Sequence, residues 1–163
     1  MSHDVQRLID LVDRLGRPRI LVLGDLILDR YTFGDAERVS QEAPVLVLRA
    51  DRQESRLGGA ASVALLLRGL DAQVTLIGVV GADAAAKETR SLLDNAGVRH
   101  EHVVADSSRP TTVKERFIGR AQNRHPHQIL RVDNEERHAL APGLERELLD
   151  RVMQELSQSD VVL

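Results

Sequence analysis

The chain has 163 residues, 42% of them hydrophobic and 29% charged, a balance that fits one globular domain with a core of its own. Its formal net charge of −3 argues against a nucleic-acid-binding face, which would be basic. There is no cysteine, which excludes disulfides, thiolate metal sites and cysteine nucleophiles, and aromatics at 2% leave the core to Leu, Val, Ile and Ala.

Met1-Ser2-His3-Asp4 is polar and no apolar run approaches the ~20 residues that cross a bilayer, so no membrane segment and a cytoplasmic location are expected. Leu8, Ile9, Leu11, Val12 and Leu15 recur at helical spacing, with Asp4 as a candidate N-cap and Gly16 at the end. Ile20-Leu21-Val22-Leu23, bounded by Gly24-Asp25, predicts a strand buried on both faces. Residues 31–57 are polar and turn-rich apart from Val45-Leu46-Val47-Leu48, and predict an excursion into a small β flap. Gly58-Gly59 opens a small-residue and Leu run, Ala60 to Leu70, expected to be a well-buried helix.

Val74 to Val80 predicts the next strand, and Asp83 to Asn95 a helix closed by Gly97 at C′. Val98 to Val104 and Gln128 to Asp133 are expected as strands, with Thr111 to Ile118 a half-exposed one between them. Arg120 to Pro126 reads as a polar turn. Pro142 starts an amphipathic helix through Leu144, Leu148, Leu149, Val152 and Leu156. Val161-Val162-Leu163 resembles the start of another buried strand, so a truncated domain is expected. Alternating strands and helices give an α/β class with a mostly parallel sheet flanked by helices.

Ligands in open α/β sheets bind beyond the carboxyl ends of the strands. Asp25 and Asp29 follow the first strand, where a carboxylate can accept hydrogen bonds from vicinal sugar hydroxyls; either can equally cap a turn. Gly58-Gly59 ahead of a helix suits close approach of a ligand to backbone N–H groups, or simply a tight turn with close helix packing. Lys114, Arg116 and Arg120 fall on one face of their segment and, with Arg131, suit a phosphate or form a solvated face. No dinucleotide fingerprint, Walker motif or hydrolase triad is recognisable, and His125-Pro126-His127 reads as a turn rather than a metal site.

Together these blocks resemble the ribokinase-like (PfkB-type) carbohydrate kinases. The resemblance rests on Gly24-Asp25-Leu26-Ile27-Leu28-Asp29-Arg30-Tyr31, on Arg38 to Val45, on Gly58-Gly59-Ala60-Ala61-Ser62, on Gly78 to Asp83, on Pro110 to Lys114 with Arg116, and on Gln128 to Asp133. The Arg38 to Val45 block points within that family to its heptose-7-phosphate kinases rather than to kinases of ribose or fructose. Gln41 stands where the family carries proline, and Ser62 where it carries asparagine.

The resemblance implies that Asp25, Asp29, Gly58, Gly59 and Ser62 form the sugar pocket and that Lys114 and Arg116 meet the substrate phosphate. It implies a core of residues 1–30, 58–104 and 134–163, and a β lid from strands within 31–57 and 108–133, through which a full-length kinase would form a homodimer. It also implies ATP with Mg2+ as the full-length kinase's cofactors, none of which is expected to bind this chain tightly. The family's catalytic aspartate and Gly-Ala-Gly-Asp anion hole have no counterpart in these residues, so no catalytic residue is expected here. A sugar-phosphate kinase is the leading expectation; the alternatives are a ribose- or fructose-type kinase and a non-catalytic sugar-binding or interaction module.

Overall fold

The computed structural model describes residues 3–14, 16–120 and 125–163. In chain order the elements are α1 His3–Arg14, β1 Arg19–Leu23, β2 Leu26–Val39, β3 Leu46–Gly59, α2 Ala60–Gly69, β4 Gln73–Gly81, α3 Ala84–Asn95, β5 Val103–Asp106, β6 Thr112–Arg120, β7 His127–Asn134, α4 Pro142–Leu156 and β8 Val161–Val162. They build two four-stranded sheets.

The first sheet has the order β5-β4-β1-β8, and every pairing in it is parallel. Ile20 and Val22 of β1 face one way, into a core with Val74, Leu76 and Val80 of β4, Ala61 and Ala64 of α2 and Leu93 of α3. Leu21 faces the other way, onto Ile77 and Leu148 of α4. Ile20, Leu21 and Val22 are therefore buried, on both faces, as the sequence predicts, because helices cover each side of the sheet, whereas Leu23 at the strand end is exposed. The α/β class with a parallel sheet between helices is the observed architecture.

The second sheet has the order β3-β2-β6-β7. β2 and β3 are antiparallel and 14 residues long each, β2 and β6 are parallel, and β6 and β7 are antiparallel. Leu28 and Val113 anchor this sheet on Ala85 of α3, and Arg30 adds an ion pair to Glu88 at 2.6 Å. The rest of the sheet carries mostly polar side chains.

Several sequence expectations change. Residues 31–57 hold parts of two long paired strands rather than one short strand in turns, so the second sheet starts at Leu26. Their charged side chains hide the strand pattern, and pairing with neighbouring strands decides it. Val98 to Val104 is a strand only at its end: Arg99 makes an isolated bridge to Thr75, and the ladder begins at Val103. The helix after Gly59 buries only Ala61 and Ala64, leaving Val63, Leu65 and Leu66 exposed. α1 begins at His3, so Asp4 lies within the first turn instead of capping it, and Val5, Leu8, Ile9, Leu11 and Val12 are exposed. Leu15 and most of the turn expected at Arg120 to Pro126 lie outside the described residues.

Candidate functional site

β1 and β4 run side by side until β1 ends at Leu23, where Gly24 N–H donates to the Ile77 carbonyl at 3.2 Å, and β4 continues to Gly81. Beyond β1 opens a cleft of about 530 Å³, a size suited to a small molecule. Its floor is Leu23 to Ile27 with Gly78 and Val79, its side is Lys114 with Arg109, and segment 135–140 forms the opposite wall.

Asp25 lines this cleft. Its backbone carbonyl accepts from Ala60 N–H at 2.9 Å and so holds the first turn of α2, while its carboxylate takes no hydrogen bond or ion pair from the described residues. Of the two readings open for Asp25, a turn-capping side chain is the one the structure does not support. Lys114 stands on the neighbouring wall, and among the described residues its ammonium also has no carboxylate partner. An unpaired anion and an unpaired cation thus share one concave surface.

Asp29 is not a turn cap either; it sits inside β2, one alternation beyond Ile27 and opposite Lys114 in the β2–β6 register. It lies at the margin of the cleft rather than in its lining. Arg116 Nη1 donates to Asp29 Oδ1 at 2.5 Å and to the Lys114 carbonyl at 3.3 Å. The hydrogen bond to Asp29 raises the Arg116 pKa still further, so the guanidinium stays charged. Lys114 and Arg116 do share one face, as their spacing predicts, but Arg116 is already committed to a carboxylate. Arg120 pairs with Asp35 at 2.8 Å and with Asp51, and Arg131 with Asp133 at 2.9 Å; neither lines the cleft.

The double glycine makes a tight turn with close packing, and neither Gly58 nor Gly59 lines the cleft. Gly59 has φ +57°, a left-handed turn between β3 and α2 that L side chains rarely adopt. Gly58 leaves the space that the Asp29 carboxylate occupies, with Oδ2 2.6 Å from where a Cβ would stand. Ser62 donates its hydroxyl to the Gly59 carbonyl at 2.8 Å and does not line the cleft.

Two clusters that sequence reasoning missed hold the cleft walls. Arg109, paired with Asp106 at 3.0 Å, donates to the carbonyls of His138 and Ala139 at 3.2 Å each and so pins segment 135–140. Asp83 caps α3 through Ala86 N–H at 2.8 Å and accepts from Thr111 N–H at 2.9 Å, tying the end of β4 to the entry of β6. Burial alone would raise the Asp83 pKa, but the Thr111 and Ala86 hydrogen bonds outweigh it and the pKa is lowered. Asp83 was legible as a helix start; its partner 28 residues away carried no sequence signal. Among the described residues no three His, Asp or Glu side chains converge as metal ligands.

The pfkB family carbohydrate kinase signature matches residues 17–154. The D-beta-D-heptose 7-phosphate kinase of Bordetella bronchiseptica is 46% identical over 151 residues, covering 93% of this chain and 46% of that protein. The bifunctional protein HldE of Helicobacter pylori J99 is 44% identical over 145 residues, covering 89% of this chain and 30% of that protein. The chain thus spans about half the length, or less, of these curated relatives. Among solved structures, a carbohydrate kinase from Agrobacterium tumefaciens superposes with a TM-score of 0.66 at 19% identity, over 89% of this chain and 44% of that one. Arabidopsis thaliana ribokinase, solved with ribose and ATP, superposes with a TM-score of 0.56 at 17% identity, over 80% of this chain and 42% of that one. The fold is ribokinase-like, and the chain belongs to the pfkB family of carbohydrate kinases.

Proposed function

We propose that this chain is the sugar-holding portion of a kinase that uses ATP to phosphorylate D-glycero-β-D-manno-heptose 7-phosphate to the 1,7-bisphosphate, a step toward ADP-heptose and lipopolysaccharide core. One observation carries the reading: the cleft beyond β1 offers the Asp25 carboxylate and the Lys114 ammonium without side-chain partners among the described residues. The carboxylate suits sugar hydroxyls and the ammonium suits a phosphate. The names of the heptose-kinase relatives support the sugar, and the Arabidopsis ribokinase with ribose and ATP supports the nucleotide.

In this reading Asp25 and Asp29 accept from sugar hydroxyls, Gly58 and Gly59 let the sugar approach the backbone, and Ser62 lies at the start of α2 beside them. Lys114 takes the substrate phosphate. The second sheet supplies the lid, from strands within 31–57 and 108–133, over a core of 1–30, 58–104 and 134–163, and its closure would exclude water from the phosphoryl transfer. Leu130 and Val132, 55% and 47% exposed on the lid sheet, favour lid-to-lid association as a homodimer. The sequence contains no Gly-Ala-Gly-Asp, and we assign the catalytic base, the anion hole and the ATP–Mg2+ site to kinase sequence other than these residues. The proposed location is the cytoplasm; no helix of the described residues is long and apolar enough to cross a membrane.

Calorimetry with heptose 7-phosphate, ribose and ATP, each alone, tests this. The expected result is binding of heptose 7-phosphate, weaker binding of ribose and none of ATP. Ribose binding as tight as the heptose would move the reading to a ribose-type kinase, and absence of any sugar binding would sink it.

A further inference from the structure

The structure assigns Arg116 a role different from phosphate binding. We propose that it is a positioning residue, whose guanidinium fixes the Asp29 carboxylate for sugar hydroxyls while Lys114 alone provides the phosphate contact. This inference rests on the sugar-site reading given above.

The geometry follows from strand register. In the parallel β2–β6 pair, Asp29 lies opposite Lys114 and Tyr31 opposite Arg116, so Arg116 starts two residues further along the sheet than Asp29. Its long side chain reaches back to Asp29 Oδ1 at 2.5 Å. The Tyr31 ring stands 5.3 Å from the Arg116 guanidinium carbon and 4.8 Å from that of Arg56, which limits the directions open to Arg116. Both members of the ion pair are largely withdrawn from water, with side chains 20% and 18% exposed.

The carboxylate is therefore held from two sides. Oδ1 is bound by Arg116, and Oδ2 rests in the space left by Gly58 while accepting no hydrogen bond from the described residues. Arg116 Nη1 is spent on Asp29 and the Lys114 carbonyl, and swinging the guanidinium away toward a phosphate would break that charge-assisted bond and leave a largely buried carboxylate unpaired. Lys114 presents its ammonium to the same region at no such cost.

The two roles differ in which ligand they affect. The test is calorimetry on the full chain with heptose 7-phosphate and with the same heptose lacking the phosphate. Arg116→Ala is expected to weaken both ligands by the same factor, about tenfold or more, since a charge-assisted contact to the hydroxyl-binding group is lost. Lys114→Ala is expected to weaken only the phosphorylated ligand. Arg116→Lys should recover part of the loss for both ligands. In an Asp29→Asn background, Arg116→Ala should cost little more, because the group it positions is already altered. Urea unfolding of each variant separates loss of fold from loss of contact, and Arg116→Lys serves as the readout if Arg116→Ala does not fold.

Loss confined to the phosphorylated ligand in the Arg116 variants, or no loss for either, overturns the positioning role while the sugar site stands. A native chain that binds neither heptose overturns the sugar site, and this inference with it.

Discussion

The carboxylate of Asp29 occupies the space that a side chain at Gly58 would need: Oδ2 lies 2.6 Å from the ideal Cβ position, and Asp29 Cγ 3.1 Å from it. Gly58→Ala therefore forces Asp29 off its seat against Arg116. The expected outcome is a stability loss of about 1–3 kcal/mol, typical of overpacking, read as a lower urea midpoint. Sugar affinity should fall as well, because the carboxylate cannot keep both its Arg116 bond and its place. An alanine variant as stable as the native chain would show that Asp29 moves freely.

Glu155 is a buried acid with two partners from another part of the chain. It is 6% exposed, Arg99 Nη2 donates to Oε2 at 3.1 Å, and His102 Nε2 lies 3.1 Å from Oε1. These bonds clasp α4 onto the connection between α3 and β5. Glu155→Ala leaves the partly buried His102 without its carboxylate partner, whereas the half-exposed Arg99 can turn to water. The expected cost is about 2–3 kcal/mol, with Glu155→Gln losing less, measured by urea unfolding with an unchanged m-value.

Acid should weaken the attachment of β8 to β1. Arg19 Nη2 bonds Asp160 Oδ1 at 2.6 Å and the Arg19 N–H bonds Oδ2 at 2.8 Å, and these lower the Asp160 pKa from 3.8 to about 2. The folded value lies below the unfolded one, so the unfolded chain binds more protons in this window and stability rises with pH across it. The contribution is full above about 3.8 and fades as pH falls through about 2. Asp83, also lowered, acts in the same direction. Unfolding followed between pH 5 and 2 should show a flatter acid limb for Asp160→Asn, and a smaller difference from native in high salt, since Arg19 and Asp160 are both about half exposed.

β8 is an edge strand with apolar side chains in water: Val161, Val162 and Leu163 are 45%, 46% and 56% exposed. An edge of this kind is a template for pairing with another chain. The chain is expected to self-associate with rising concentration in sedimentation experiments, and Val162→Lys should reduce that association with little change in its unfolding midpoint. Equal association by the lysine variant would place the contact elsewhere, the exposed apolar stripe of α1 being the next surface to test.

Much of the fold was legible. The runs in β1 and β4 are almost wholly apolar at their core positions, Thr75 being the exception, so burial on both faces follows largely from composition. Asp83, Gly97 and Pro142 mark helix ends by chemistry that acts within a few residues. β2 and β3 were illegible for the opposite reason: Asp29, Arg30, Arg52, Glu54 and Arg56 present charges on both faces, and only the partner strands make such residues a sheet. At the candidate site, residue types and resemblance pointed to Asp25, Asp29, Gly58, Gly59, Ser62, Lys114 and Arg116; of these Asp25 and Lys114 line the cleft, and the Arg116–Asp29 pair carried no sequence signal.

Residue types and local spacing determined by themselves that this chain would form a parallel α/β layer with acids and glycines at the strand ends, because those preferences need no distant partner. Tertiary structure decided which charges remain free. Arg116 meets Asp29 across 87 residues of sequence and Thr111 meets Asp83 across 28. Such pairings depend on register between strands, and register is fixed only when the sheets close over their cores.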